Sequence, residues 1–593
     1  MVLAFLLVAA RITQIQALSS KRYAQLGRSQ VVRGQQLPAE RGSIFDRSGN
    51  DLALSVRQST VWADPRLVRD PLSSAEQLAQ VLSMDVADLQ SRLAKEAGFV
   101  YLARKVSDDT AAKVTALHLP GVNLMPESAR FLPAGDLAGP VLGSVGTDNE
   151  GLSGLEVQYE KRLAGKPGQI IEERDPNGQP ISGGMHQFTP SARGDDLVLT
   201  LDRSLQYETE RALRDEVAKA HAKGGMALIM QVRTGEVLAM ADLKTNDDGT
   251  IGSASSNTAL TNVYEPGSVN KLITISGALE EGVIKPDERL LVPPSIKVAD
   301  ATFREHDPHP IQQWSITDIV ANSSNVGSIM IGQRLGKDRL DRYLRSYGFG
   351  EQTDLHFPGE SAGLLLDPKK YSGSSMGTMP IGQGIAVTAL QMLSAYNTVA
   401  NGGVYVGPKL VKATIGSDGV VHETAPAETH RVVSSKTALQ MTGMLNEVVR
   451  VGTAPLAAID GYTVAGKTGT ARKPLENARG YKEGAYISTF AGFVPSEQPE
   501  LSAIVILDEP TPIFGGLVAA PVFSQIMQYG LRQLRIAPPT VIPAGVAAAL
   551  ATVPKSTPKA AQGVGEAGDS PAPPSTTTTT MPSSTVASKP RSP

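Results

Sequence analysis

The strongest constraint on the fold is where the strand-forming runs fall. Met226-Ala-Leu-Ile-Met-Gln-Val232, the turn Arg233-Thr-Gly-Glu236 and Val237-Leu-Ala-Met240 read as strand, tight turn, strand, a β-hairpin. Far along the chain, Tyr486–Val494 and Leu501–Leu507 form a second such pair around residues 495–500. Between the pairs the apolar periodicity is helical, as in Leu272–Glu281 and Gln391–Val399. Strands grouped at both ends with helices between them predict an α/β or α+β layered domain rather than a doubly wound one. This block opens with the apolar strand Leu197–Leu201 and the amphipathic run Leu205–Ala222.

A first block, from about Pro38 to about Ser191, is of mixed α/β character. It carries strand-like pieces such as Arg57–Trp62, helical stretches such as Ser74–Leu82, and Gly-rich turns at Arg41-Gly-Ser43 and Arg47-Ser-Gly-Asn50. The chain's other end, from Pro538, is rich in Pro, Ala, Ser and Thr, with five consecutive Thr at Thr576–Thr580. Such a segment buries too little apolar surface to offset its chain entropy and is expected to be disordered. At the N-terminus Met1–Ala10 is unbroken apolar sequence, half the length of a bilayer span. It lacks the basic start and small-residue cleavage site of a secretory signal. The expectation is the second half of a membrane anchor, a short buried helix being the alternative. Arg11, Lys21, Arg22 and Arg28 would then lie beyond the membrane. The expected divisions are 1–22 for this partial anchor, 23–191, 192–536, and 537–593 for the tail.

Composition narrows the chemistry. The net charge of −3 offers no basic excess for a nucleic-acid partner. The absence of cysteine excludes disulfides, thiolate zinc sites, cysteine-ligated clusters and a cysteine nucleophile. Eight His are scattered, and only His306 and His309 are close, in a Pro-flanked loop that reads as solvated surface rather than a metal site. No phosphate-binding glycine motif appears.

The remaining candidates are hydroxyls and amines. In Tyr264-Glu-Pro-Gly-Ser268-Val-Asn-Lys271, Pro266 and Gly267 make a turn and a helical pattern follows. Ser268 then falls at a helix start, where N–H groups are unpaired, with Lys271 on the same face three residues on. A lysine kept neutral by burial or a neighbouring cation can take a serine's proton; an N-cap serine with a solvated lysine is the plain alternative. The spacing is weak by itself, since Ser556-Thr-Pro-Lys559 repeats it in the tail. Ser323-Ser-Asn325 supplies a loop serine and an amide, with decoys at Ser48-Gly-Asn50, Ser255-Ser-Asn257 and Ser268-Val-Asn270. Lys467-Thr468-Gly469-Thr470 is the one K-[ST]-G in the chain. On an edge strand Lys467 adds positive charge, the hydroxyls can bind a carboxylate, and Gly469 lets a substrate backbone approach.

In this order and spacing the chain resembles the penicillin-binding proteins and serine β-lactamases, which carry S-x-x-K, S-x-N and K-T-G. Arg41-Gly-Ser-Ile-Phe-Asp-Arg-Ser-Gly-Asn-Asp-Leu-Ala53 is similar to the segment that opens the non-catalytic pedestal of class B penicillin-binding proteins. Gly151-Leu-Ser-Gly-Leu-Glu156 with Tyr159, Thr234–Met240, Gly382-Gln-Gly384 with Thr388 and Gln391, and Ala519-Ala-Pro-Val-Phe523 are similar to further family landmarks. The resemblance runs from about Tyr23 to about Leu534, and the subgroup it looks nearest is the division-specific D,D-transpeptidases of the FtsI type.

The resemblance implies a transpeptidase domain with an antiparallel sheet flanked by helices, preceded by a mixed α/β pedestal or dimerisation domain. It implies that Ser268 attacks the D-Ala-D-Ala bond of a peptidoglycan stem peptide while Lys271 takes its proton. Backbone N–H groups of Ser268 and Thr470 would form the oxyanion hole. Ser323, with Lys467 and Lys271 nearby, would pass a proton to the departing D-alanine. Asn325 would bind the peptide amide, and Thr468, Gly469 and Thr470 the terminal carboxylate and backbone. No metal or organic cofactor is implied. The partners implied are stem peptides, β-lactams, a SEDS-type glycosyltransferase and other division proteins. The expected location is the cell membrane, single-pass, with the catalytic domain on the extracytoplasmic side. Side-wall synthesis, a D,D-carboxypeptidase, a β-lactamase, and an inactive scaffold or sensor on the same fold are the rival readings.

Overall fold

A computed structural model describes residues 2–14, 32–173, 181–475 and 480–556. The sheet of the second block has six strands in the order Ile251–Ser253, Val237–Thr245, Gly224–Gln231, Leu501–Asp508, Tyr481–Val494, Ala465–Pro474, all neighbours antiparallel. Both predicted strand pairs are present, and they meet at the centre: Leu501–Asp508 lies against Gly224–Gln231. Leu501 to Leu507 are all buried, so both faces of that strand are covered. Leu501 packs near Gly530 of helix Gly515–Gln533, whereas the Ser502 hydroxyl donates to Asn397 of helix Ala389–Ala400 at 2.7 Å. Successive residues of a strand point to opposite faces, so these two helices sandwich the sheet. Helix Arg203–Lys219 lies beside Gly515–Gln533. This is the layered, antiparallel arrangement expected.

The strand at the opening of the second block does not join that sheet. Asp196–Leu199 sits in another, between Val411–Ile415 and Ile44–Phe45, and pairs in parallel with the latter. Ile44–Phe45 continues into Asp51–Ala63, which carries Val100–Val106 and Val122–Phe131. A continuous sheet therefore runs from the first block into the second, just past the division expected at 191/192. The first block has its own apolar cluster around Val61, Leu78, Leu89, Leu93 and Leu102. Beside the joining sheet, Glu156 receives Arg41 Nε at 2.7 Å and Arg130 Nε at 2.6 Å, all three side chains buried. Two landmarks that look unrelated in sequence, Arg41–Ala53 and Gly151–Glu156, are thus joined by an ion pair.

The chain's ends differ in part from expectation. Helix Val2–Thr13 is apolar and exposed, not buried, with Leu3 and Phe5 more than 70 % accessible. Among the described residues no helix is long and apolar enough to cross a membrane; Lys21, Arg22 and Arg28 lie outside them. The expectation of disorder from Pro538 does not hold as far as Ser556. Helix Ala544–Ala551 leads to Val553, which is buried against Gly443, and to Ser556, also buried. Ser556 donates through Oγ to Asp318 at 2.8 Å and through N to Glu447 at 2.8 Å, and its carbonyl accepts from Arg450 at 2.9 Å. One valine and three polar contacts suffice to seat a segment whose composition reads as tail. Lys559 and Thr576–Thr580 lie outside the described residues.

Candidate active site

Ser268 lies in a 3-10 turn, Gly267–Asn270, that runs directly into helix Lys271–Glu280. In place of the expected first turn of an α-helix the chain makes this tighter turn, entered through Gly267 at a left-handed φ of 57°. In a three-residue turn, side chains at i and i+3 eclipse, so Ser268 and Lys271 stack one above the other. The turn is held on all sides. Gly267 N donates to Gly382 O at 2.9 Å, Asn270 Nδ2 to Met379 O at 3.0 Å, and the Tyr396 hydroxyl to Val269 O at 3.0 Å. Ser268 itself is half-buried, and its hydroxyl makes no hydrogen bond among the described residues.

Lys271 brings in the second motif. Its Nζ donates to Ser323 O at 2.6 Å, to Asn325 Oδ1 at 2.9 Å and to Ser323 Oγ at 3.2 Å. These acceptors sit on the bend between helices Ile316–Ala321 and Asn325–Leu335, where Ser323 has φ +59°, an uncommon conformation for a side-chain-bearing residue. Ser324 caps the second helix by accepting from Gly327 N at 2.8 Å.

The third motif lies on strand Ala465–Pro474, at the edge of the six-stranded sheet as predicted. It packs on the nucleophile turn: a Cβ on Gly469 would come within 3.2 Å of Pro266 O and of Val269 Cγ1. Lys467 Nζ donates to Thr468 O at 3.1 Å and Thr468 Oγ1 at 3.3 Å. It makes no hydrogen bond to Ser323 among the described residues, so that part of the expected proton path is not preformed. Thr468 Oγ1 is also 2.7 Å from Thr453 Oγ1, and Thr470 Oγ1 is 3.5 Å from Gly515 N. Asn325, expected to be free for a substrate amide, has its own amide engaged, through Oδ1 to Lys271 and through Nδ2 to Arg304 O at 3.3 Å.

The three stretches thus surround two buried lysines, each 1 % exposed. Burial holds the Lys271 amine down to about 7, with the Glu305 carboxylate opposing. Lys467 is driven well below its ordinary range by burial and then by the charge of Lys271. Removing a cation from water disfavours its charged form, and a like charge alongside adds to this. Such a site populates a neutral amine near neutral pH, which a general base requires.

Sequence reasoning missed Glu305, whose carboxylate accepts from Ser324 Oγ, Asn325 N and Val326 N. It belongs to the same loop as His306 and His309, read as solvated surface; His306 is exposed and stands edge-on to Phe514, while His309 packs on Trp314. No local signal separates Glu305 from its exposed neighbours. Glu265 was passed over too. It accepts from Gly384 N at 2.9 Å and the Tyr481 hydroxyl at 3.0 Å, and burial raises its carboxyl. Its position three residues before Ser268 was the available signal.

Residues 225–528 match the family profile described as the penicillin binding protein transpeptidase domain, and residues 36–199 the penicillin-binding protein dimerisation domain. Over 539 residues the chain is 35 % identical to the penicillin-binding protein PbpB of Mycolicibacterium smegmatis, covering 84 % of this chain and 83 % of that one. It is 34 % identical over 554 residues to the peptidoglycan D,D-transpeptidase FtsI of Escherichia coli, covering 90 % of each. In three dimensions it resembles penicillin-binding protein 3 of Mycobacterium tuberculosis complexed with aztreonam. That match has a TM-score of 0.66 and 30 % identity, and covers 86 % of this chain and 99 % of the other. With the three motifs converging around Lys271 in the layered domain and the joined first block preceding it, the chain belongs to the class B penicillin-binding proteins, and is a peptidoglycan D,D-transpeptidase.

Proposed function

We propose that the chain cross-links stem peptides through an acyl-enzyme on Ser268, at the division septum. The observation that carries this reading is the seating of Lys271, whose amine is buried, bonded to Ser323 and Asn325, and one tight turn from Ser268. Ser268 Oγ attacks the carbonyl carbon between two D-alanines, and its proton passes to the neutral Lys271. The developing oxyanion is held by the N–H groups of Ser268 and Thr470, the latter on an edge strand whose outer N–H groups have no strand partner. Lys271 and Ser323, already hydrogen-bonded, return a proton to the leaving D-alanine nitrogen as the peptide bond breaks. An amine of a second stem peptide then attacks the ester carbonyl, forming the cross-link and freeing Ser268.

Lys467, Thr468, Gly469 and Thr470 receive the substrate carboxylate and backbone. Asn325 takes the donor's amide by exchanging the long Nδ2 contact to Arg304 O for a substrate carbonyl. A β-lactam presents a strained amide and an anionic group to the same residues, and the aztreonam complex of the M. tuberculosis relative supports β-lactam binding. Septal work beside a SEDS-type glycosyltransferase is what the resemblance to the FtsI type implies. The exposed apolar helix Val2–Thr13 supports attachment to the cell membrane, and the resemblance implies that the catalytic domain lies outside.

Fluorescent penicillin is expected to label the purified protein covalently, with Ser268→Ala abolishing the signal. Undiminished labelling of that variant would overturn the nucleophile assignment. A fluorescent fusion in growing cells is expected at mid-cell, and a lateral pattern would replace septal with side-wall synthesis.

A further inference from the structure

Glu305 takes part in no step above, yet it is bound to the site more closely than several residues that do. It follows strand Ala301–Arg304 and reaches the first turn of helix Asn325–Leu335. There its carboxylate accepts from Ser324 Oγ, from Asn325 N at 2.8 Å and from Val326 N at 3.1 Å. A helix start leaves such N–H groups unpaired and favours negative charge. Ser324 serves Gly327 N, so Glu305 takes the two N–H groups before it and completes the cap. What sets this cap apart is what the capped residues carry. Ser323 and Asn325 supply all three acceptors of the Lys271 amine, and Arg304, next to Glu305 in the chain, accepts from Asn325 Nδ2.

We propose that Glu305 is a positioning residue for acylation: its carboxylate sets the Ser323-Ser324-Asn325 bend so that the bend's oxygens meet Lys271, and its negative charge acts on that amine. The titratable groups facing Lys271 are Glu305, from the loop after Ala301–Arg304, and the amine of Lys467, from strand Ala465–Pro474, which burial holds toward its neutral form; the bend itself offers neutral oxygens. Burial disfavours the protonated amine and Glu305 favours it. Loss of the carboxylate therefore leaves the amine neutral at lower pH, while loss of geometry slows the step at every pH.

The inference rests on the Ser268 reading, and the experiment separates the two. The second-order rate constant for labelling by fluorescent penicillin is measured against pH for the wild type, Glu305→Gln and Glu305→Asp, with thermal melting to establish folding. Glu305→Gln keeps one acceptor and loses the charge. It is expected to label about tenfold more slowly on the plateau, as for a lost charge-assisted hydrogen bond, with its acidic limb moved to lower pH. Glu305→Asp keeps the charge at shorter reach and is expected to label slowly with the limb unmoved. A folded Glu305→Gln with wild-type plateau and limb overturns the inference alone. A slowed Glu305→Gln whose limb stays in place overturns the electrostatic half and reduces Glu305 to a helix cap. A wild type that is not labelled overturns the Ser268 reading instead.

Discussion

Lys271 Nζ lies 2.6 Å from the carbonyl oxygen of Ser323, a residue 52 positions away whose backbone is turned into the left-handed region to present that oxygen. The contact constrains the lysine without neutralising it, because a carbonyl accepts a hydrogen bond from either protonation state. Burial then sets the balance, bringing the amine down to about 7 so that its neutral form is populated at neutral pH.

The first prediction concerns pH. The unprotonated amine is the active form, so the labelling rate with penicillin should rise with pH through about 7 and level off above it. Without burial the rise would come near the ordinary lysine value of about 10.4. A stopped-flow pH profile decides between these, and a rise only above pH ~9 would remove Lys271 from the role of base.

Gly382 tests how firmly the nucleophile turn is held. Its φ is +79°, and a Cβ there would lie 2.2 Å from Gly267 O, the neighbour whose N–H it anchors. Backbone cannot swing aside as a side chain can. Gly382→Ala is expected to cost more than about 2 kcal/mol in chemical denaturation and to suppress penicillin labelling. Full labelling at wild-type stability would show that the turn tolerates displacement.

The buried Arg41–Glu156–Arg130 group makes a separate prediction for the first block. Glu156→Ala leaves two arginines without their shared carboxylate, a loss of about 3–5 kcal/mol. The chain has two Trp, Trp62 in the first block and Trp314 in the second. In a Trp314→Phe background, the fluorescence of Trp62 should report first-block unfolding at clearly lower urea in the Glu156 variant.

The seated end of the chain predicts a stability difference between truncations. A chain ended at Ala537 loses the burial of Val553 and the contacts of Ser556 to Asp318, Glu447 and Arg450. Relative to a chain ended at Ser556 it should be less stable by about 1–3 kcal/mol. Equal melting temperatures would mean that the helix Ala544–Ala551 and its extension contribute nothing.

Much of this molecule is readable from residues alone, because its strands are apolar runs of two periods and its motifs are short and ordered. The hairpin at 226–240, the pair at 486–507 and the helix after Ser268 follow from local pattern, which depends on near neighbours in the chain. Kinship was legible because Ser268-Val-Asn-Lys271, Ser323-Ser-Asn325 and Lys467-Thr-Gly469 occur in one order. Their meeting around Lys271 was not, since contact across tens or hundreds of residues is decided by packing. Only the folded chain shows that Asp196–Leu199 joins the two blocks instead of the six-stranded sheet. Only it shows that Ser556, in polar low-complexity sequence, finds three partners, and that Glu305 reaches the bend holding the lysine. Composition and spacing determine which chemistry the chain can carry; burial and long-range hydrogen bonding decide which of its many serines, lysines and carboxylates carry it.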